Sequence, residues 1–273
     1  MKSYRSLAKY IVWIRAVTAT LLIAILAVGC AEQEKTTPVP IRVIDLSPTI
    51  RPTSPTELLG NVIPQAFGMP TETTFDHHFQ TEPLYIETST ITLMDHVGPH
   101  VDAPIHLIEG GKTVEEMPLD QLIGPARVLD FRAKTTDEPL LPSDFEGLGI
   151  KPDDVVVVFV GYVPPTSPDG IPSYPYLSGA AAEYLASIPV RAFASDMPST
   201  GSLRRYGNLM AEDPKSEHVF PEHIAFLQRG IPLIEGLVNI EELIGEDSIV
   251  FVAFPLKLEG TSGGLTRAAA LVY

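Results

Sequence analysis

The chain has 273 residues, of which 34 are acidic and 19 are basic, so its formal net charge at pH 7 is −15. A surface of this sign repels phosphate backbones and excludes nucleic acid as an expected partner. The single cysteine excludes an intrachain disulfide, so the fold must be stabilised by its apolar core. Valine, isoleucine and leucine are frequent enough beyond residue 40 to build one good-sized α/β domain.

The first 29 residues have the composition of an export signal. Basic residues without acidic ones precede an apolar run from Ala16 to Gly29. The sequence Ala27-Val28-Gly29-Cys30 resembles the lipobox of bacterial lipoproteins, in which the cysteine is lipidated and becomes the mature N-terminus. We therefore expect a lipoprotein signal peptide over residues 1–29, a polar tether over residues 30–40, and an exported cell-envelope lipoprotein anchored through Cys30 on the periplasmic side. The alternative is an uncleaved membrane anchor with an incidental cysteine.

Beyond the tether, hydrophobic patterning predicts strands that alternate with short helices. The clearest strand is the continuous apolar run Val155 to Val160. Ser178 caps a predicted helix that ends just before Pro189. The segment Ser47 to Pro83 lacks periodicity and is typical of a lid, a binding loop or a disordered stretch. The predicted strands are 41–46, 84–94, 126–131, 155–160, 190–194, 231–235, 249–254 and 268–273, and the predicted helical segments are 114–122, 178–187, 221–228 and 241–244.

This order of elements predicts the fold class. Alternating strands and helices indicate α/β architecture, and no repeat or change of composition divides the chain after the tether. We expect a single domain over residues 41–273, with a mixed β-sheet and flanking short helices.

The segment from His96 to His106 concentrates metal-binding side chains. Three of the seven histidines (His96, His100, His106) and Asp102 stand at even spacing. In an extended chain all four side chains project from one side. Four extended residues span about 13 Å, so the chain must bend at Gly98-Pro99 for the first two histidines to reach one ion. Imidazole and carboxylate groups are good ligands for zinc and other divalent transition metals.

The absence of cysteine from this segment bears on the kind of site. Structural zinc sites close with four ligands, often cysteines, whereas catalytic sites keep one position open for water. The composition therefore favours a catalytic metal. The alternative is a histidine-rich surface loop or an adventitious metal site, because a single His-X3-His pattern is common.

The eleven residues HVGPHVDAPIH resemble the His-X-Gly-Thr-His-X-Asp-X-Pro-X-His signature of the cyclase family of metal-dependent hydrolases, which includes bacterial kynurenine formamidase and isatin hydrolase. The likeness covers most of residues 41–273, since IRVIDLSPTI, EGGKTVEEMPLDQLIGPARVLDF, SDMPS and PLKLEGTSGGLTRAAAL follow in the family's order. Pro99 stands where the family has threonine, which removes a hydroxyl and a backbone N–H. We interpret this departure as the mark of a variant subgroup.

The resemblance implies a swivelling β/β/α fold and a role for each site residue. The implied metal ligands are His96, His100, Asp102, His223 and Glu235, and the implied acid/base is His106. In the formamidase branch a His and a Glu twelve residues apart complete a two-metal site, and His223 and Glu235 have that spacing. Taken alone, Glu235 is more typical of a solvated strand end. The implied cofactor is one or two Zn²⁺ or Mn²⁺ ions, and the implied assembly is a homodimer or homotetramer.

These features predict a metal-dependent hydrolase of a small amide, formamide or lactam, acting through metal-activated water with His106 as acid/base. One alternative is a lactonase or another hydrolase of C–O acyl bonds, and another is a non-catalytic metal-binding lipoprotein. The expected partner is a small-molecule substrate, and the expected membrane contact is the lipid anchor alone. Lower-ranking site candidates are His77-His78, Phe67, Phe75 and Phe79 in the long segment, and Ser195-Asp196 and Ser199-Thr200 after a strand.

Overall fold

The computed structural model describes residues 39–53, 72–165, 172–213 and 219–273. The expected signal peptide, Cys30 and nearly all of the expected tether lie outside the described residues. Pro40–Tyr273 forms one compact unit. No helix within the described ranges has the length and apolar character needed to cross a membrane.

The elements of this unit follow one another in chain order. The described strands are β1 (Arg42–Asp45), β2 (Thr74–Gln80), β3 (Ile86–Thr92), β4 (His100–Asp102), β5 (Ile123–Asp130), β6 (Pro139–Leu140), β7 (Val155–Phe159), β8 (Tyr176–Leu177), β9 (Ala192–Ser195), β10 (Leu233–Glu235), β11 (Ile249–Val252), β12 (Gly263–Leu265) and β13 (Ala269–Val272). The α-helices are α1 (Pro142–Phe145), α2 (Gly179–Ser187), α3 (Leu203–Glu212) and α4 (Pro221–Leu227), and 3₁₀ turns lie at Pro104–His106, Val114–Glu116, Leu119–Leu122 and Ile240–Leu243.

Nine of these strands form one mixed sheet in the order β1-β13-β11-β5-β7-β9-β10-β4-β12. The central strands β5, β7, β9 and β10 run parallel, and the strands on both sides of them pair antiparallel. Strands β2 and β3 form a separate hairpin, and β6 pairs with β8. The predicted α/β class with a mixed sheet and short helices is confirmed.

Strand β7 separates two apolar cores because both of its faces are buried. Val156 and Val158 pack into the core that contains Leu185 of α2 and Phe226 of α4. The alternate residues Val155, Val157 and Phe159 point into the opposite core, where they pack with side chains of β1, β11 and β13. This explains why the sequence of β7 is continuously apolar rather than alternating. The sheet is therefore fixed from both sides, and its strand ends form a rigid support for a site.

Three predictions about individual elements need correction. The helix predicted over 114–122 is two 3₁₀ turns, because Pro118 separates them and the first is closed by a capping box between Thr113 and Glu116. The long segment 47–83 contains strand β2, which pairs with β3 along its whole length. Helix α3 was not predicted, since its sequence LRRYGNLMAE combines charged residues with an internal glycine.

Candidate metal centre

Strand β4 carries two of the predicted ligands on one face. His100 and Asp102 are two residues apart, so their side chains point to the same side of the strand. The strand lies between β10 and β12, and its pairing with β10 sets Glu235 directly opposite His100. Register alone thus brings together residues from the two halves of the chain.

The rest of the histidine segment is not extended, which corrects the expectation of one continuous strand face. Gly98 has φ +68°, so the chain bends where the Gly98-Pro99 bend was predicted. Pro104–His106 forms a 3₁₀ turn that folds the end of the segment back. The rings of His96 and His106 nevertheless meet, with centroids 4.3 Å apart. The turns on both sides of β4, rather than strand periodicity, gather the histidines.

Two buried carboxylates form the centre of this cluster. Asp102 Oδ1 lies 3.3 Å from Nε2 of both His96 and His100. Glu235 Oε1 lies 3.2 Å from His223 Nε2, and its second oxygen lies 3.7 Å from His100 Nε2. Asp102 Oδ2 also lies 3.8 Å from His223 Nε2, so each carboxylate faces imidazole nitrogens from both of the predicted ligand segments.

The outer nitrogens of two histidines are fixed by groups that only accept hydrogen bonds. His96 Nδ1 lies 2.9 Å from Asp95 Oδ1, and His100 Nδ1 lies 2.9 Å from the carbonyl oxygen of Gly98. Each Nδ1 must therefore carry a proton, which leaves Nε2 of the neutral ring with a free lone pair directed into the cluster. Asp95 in turn accepts a hydrogen bond of 3.0 Å from the backbone N–H of Gly263 in β12.

Glu235 is held in a similar way. The backbone N–H and the hydroxyl of Thr200 both donate to its Oε1, over 2.6 and 2.7 Å. Asp95 and Thr200 support the site, but neither was predicted to do so. Thr200 was only a lower-ranking candidate after a strand, and the signal available for Asp95 was its position beside His96.

The donor set fits a divalent cation. His96 Nε2 and both carboxylate oxygens of Asp102 are buried, and none has a hydrogen-bond partner among the described residues. In the ranges that the structure describes, nitrogen and oxygen donors within 4.8 Å of one another occur in two groups, one of His96, Asp102 and His106 and one of His100, Asp102 and Glu235. Buried polar atoms without partners are costly unless something compensates them, and a metal ion does so.

The electrostatics of the cluster agree with this fit. Burial opposes a charge on His96, but Asp102 and Asp95 raise its pKa to about 10. Without a cation its ring is therefore charged at pH 7, and Nε2 gains the free lone pair only when a cation replaces its proton. Burial likewise opposes the charged form of Asp102, yet the neighbouring histidines hold its pKa well below the usual range. Burial lowers the pKa of His106 to about 4, so its ring is neutral at pH 7. The cluster thus attracts positive charge, and it includes one neutral imidazole able to accept a proton.

The remaining candidates lie apart from these ligands. His77 and His78 are exposed on β2, where they bond across the hairpin to Ser89 and Thr90. Phe75 and Phe79 are on the same strand, and Phe67 lies outside the described residues.

The buried carboxylate of Asp196 accepts hydrogen bonds from the backbone N–H groups of Val160 and Tyr162. Asp196 and Tyr162 also line a cavity of about 200 Å³, together with the backbones of Gly98 and Gly236. The wall of this cavity is therefore continuous with the segments that carry His100 and Glu235.

Residues 44–202 match the sequence profile of the family described as "Putative cyclase". The chain belongs to this family. A kynurenine formamidase of Geobacillus thermodenitrificans is 30% identical over 188 residues, and one of Salinibacter ruber is 29% identical over 195 residues. Each alignment covers 67% of this chain and 79% of the relative. The resemblance to the cyclase family is thereby confirmed, although His223 and Glu235 lie beyond the matched profile.

Solved structures share the fold. An isatin hydrolase bound to the product analogue thioisatinate superposes with a TM-score of 0.67 at 21% identity, covering 100% of this chain and 99% of that one. Isatin hydrolase A from Labrenzia aggregata, bound to benzyl benzoate, gives a TM-score of 0.68 at 21% identity and covers 93% and 99% of the two chains. At these identities the likeness concerns the architecture.

Proposed function

We propose that this cyclase-family protein is a metal-dependent hydrolase acting on C–N bonds other than peptide bonds, with a small amide, formamide or lactam as substrate. The observation that carries the proposal is the cluster of buried, unpartnered donor atoms of His96 and Asp102 beside the neutral ring of His106. The kynurenine formamidases among the relatives support the choice of a C–N bond.

The residues that would hold the ion are His96, His100 and Asp102, with Glu235 and His223 completing the set or binding a second ion. A bound divalent ion supplies Lewis-acid polarisation of the carbonyl and a lower pKa for water. Zn²⁺ and Mn²⁺ both suit these nitrogen and oxygen donors. The two carboxylates, each facing histidines on two sides, support the two-ion arrangement.

His106 performs the proton transfers in this proposal. Its neutral ring accepts a proton as the water oxygen forms a bond to the carbonyl carbon. The same ring then donates that proton to the nitrogen as the C–N bond breaks, so an amine and a carboxylic acid leave the site. The 3₁₀ turn Pro104–His106 holds the ring against His96, which keeps it beside the proposed metal ligands.

We further propose that the protein works as a homodimer or homotetramer. The support is the hairpin of β2 and β3, whose strand residues are almost all exposed. The exposed fractions of Phe79 and Ile91 are 63% and 61%, which is unusual for large apolar side chains. The export signal and Cys30 support anchoring in the cell envelope through a lipid, which remains a proposal from the sequence.

A substrate panel tests the reaction class. The full chain is freed of metal with a chelator and reloaded with Zn²⁺ or Mn²⁺. It is then assayed on N-formyl aromatic amines, isatin-like lactams and lactones. We expect turnover of formamides or lactams, and His106→Ala should lower kcat by about 10²–10⁴-fold while the bound metal remains. Glu183→Gln is the control, because Glu183 is exposed on α2, pairs with Gln228 and Arg229, and lies outside both the ligand cluster and the hairpin, so it should leave both quantities unchanged.

The other outcomes separate the alternatives. Turnover of lactones alone would assign a C–O hydrolase. Stoichiometric metal without turnover of any class would favour the non-catalytic metal-binding lipoprotein. Loss of the ion in His106→Ala would make His106 a ligand. A protein that binds no metal, with ligand variants as active as the wild type, would refute the site.

A further inference from the structure

The far side of His223 faces a second buried pair, Tyr206 and Glu222. Tyr206 lies on α3, and Glu222 stands beside His223 in the first turn of α4. The Tyr206 hydroxyl donates to Glu222 Oε2 over 2.8 Å, and its oxygen lies 3.4 Å from His223 Nδ1. Tyr206 is completely buried, and Glu222 is 1% exposed. The hydrolytic steps proposed above use neither residue.

The direction of these hydrogen bonds decides which nitrogen of His223 carries the proton. A hydroxyl, unlike the partners of His96 and His100, can either donate or accept. The Tyr206 hydroxyl donates its hydrogen bond to Glu222 Oε2, so its oxygen is left as an acceptor towards His223. The tyrosine oxygen then accepts from Nδ1–H of His223. The lone pair of Nε2 is thereby left free towards Glu235 and Asp102, at 3.2 and 3.8 Å.

Without the hydroxyl, the opposite tautomer is favoured. Glu235 Oε1 lies 3.2 Å from Nε2 and is an acceptor, so a proton on Nε2 points at it. A protonated Nε2 has no lone pair for a cation. A cation binds only the neutral ring, and in that form the Tyr206 hydroxyl competes with Glu235 for the single proton.

The chain leaves space for this arrangement at Gly201. A Cβ atom at this position would lie 1.8 Å from the Tyr206 hydroxyl and 2.7 Å from Glu222 Oε2. Any larger residue would displace the hydroxyl from its place between Glu222 and His223. The absence of a side chain at Gly201 thus serves the same contact.

We propose that Tyr206 and Glu222 are positioning residues that hold His223 with its proton on Nδ1, so that Nε2 can bind a divalent cation. This inference rests on the proposed function, since it gives His223 the role of a ligand. It adds a pair of residues that act on the ion only through His223.

The test is the Zn²⁺ affinity of metal-free, full-length protein, measured by competition with a chromophoric chelator. His223→Ala should abolish the Zn²⁺ binding to which His223 contributes, and Tyr206→Phe should weaken the affinity of that binding by about 10–100-fold. Glu222→Gln should weaken it less, because an amide can accept from the hydroxyl or donate to it. Tyr174→Phe is the matched control, since Tyr174 is also buried but its hydroxyl donates to the backbone carbonyl of Gly201 rather than to Glu222. Its Zn²⁺ affinity should equal that of the wild type.

Thermal unfolding in chelator separates a folding defect from a metal defect. The two Tyr→Phe variants each lose one buried hydroxyl, so similar melting temperatures with different Zn²⁺ affinities support the inference. Equal affinities for Tyr206→Phe and the wild type, or equal losses in both Tyr→Phe variants, overturn it while leaving the proposed function intact. A wild-type chain that binds neither Zn²⁺ nor Mn²⁺ overturns the proposed function itself.

Discussion

Replacing Gly263 with alanine should disturb the proposed metal centre although no ligand is substituted. The added Cβ would lie 2.5 Å from Cε1, 2.7 Å from Nδ1 and 2.8 Å from Nε2 of His96. Because carbon atoms prefer separations of about 3.5–4.0 Å, the ring must withdraw by roughly 1 Å. Metal–ligand distances tolerate only about 0.2 Å. We expect Gly263→Ala to weaken Zn²⁺ binding by about 10–100-fold and to lower the free energy of unfolding by about 1–3 kcal/mol.

The assay is chelator competition for Zn²⁺, together with urea unfolding of the metal-free chain. Gly207→Ala is the control, because it adds the same methyl group in α3, where, its chain neighbours and the helix's own backbone apart, no atom of the described residues lies within 4 Å of the new Cβ. This control should bind Zn²⁺ as the wild type does and be more stable by about 0.5–1 kcal/mol. Wild-type Zn²⁺ affinity in Gly263→Ala would refute either the role of His96 as a ligand or the close contact with β12.

Two further predictions concern stability. Burial raises the pKa of Asp196 from 3.8 to about 6, although hydrogen bonds from backbone N–H groups lower it. The folded chain therefore favours the protonated carboxyl, and the stability this contributes is present below pH 4 and lost as the pH rises through 6. The free energy of unfolding of the wild type minus that of Asp196→Asn should therefore fall by roughly 2 kcal/mol between pH 4 and pH 7 in urea titrations, and a constant difference would contradict the assignment. Ser178→Ala removes the acceptor for the N–H of Ala181 at the start of α2, so it should destabilise the chain by about 1 kcal/mol in thermal unfolding; an unchanged melting temperature would count against the cap.

Local sequence signals predicted those elements whose environment is uniform along their length. Strand β7 is apolar throughout because both faces are buried, and α2 begins after Ser178 because the serine caps it. Helix α3 was not predicted, because buried residues such as Tyr206 make their contacts with Phe220 and Glu222 at the start of α4 and not within the helix. Strand β2 escaped because the pairing that defines it is with β3, and neither strand covers a core.

The structure brings together the residues that the sequence singled out, but their geometry could not be predicted. The motif from His96 to His106 identifies the side chains, but only three of its residues are in a strand. Two turns bring the others into place, and a turn's orientation is set by tertiary packing. The hydrogen bonds from Thr200 to Glu235 and between Tyr206 and His223 could not be predicted, because each joins elements that are separate in the sequence.

The position of β4 in the sheet determines when the metal centre can form during folding. Both neighbours of β4 come from the last part of the chain, β10 at Leu233–Glu235 and β12 at Gly263–Leu265. Such long-range pairings form slowly, because the intervening chain must first lose conformational freedom. A nascent or partly folded chain therefore holds His100 and Asp102 without Glu235. Metal uptake would then be a late event, and the ion would stabilise the native state by binding it after folding rather than speed the folding of the chain.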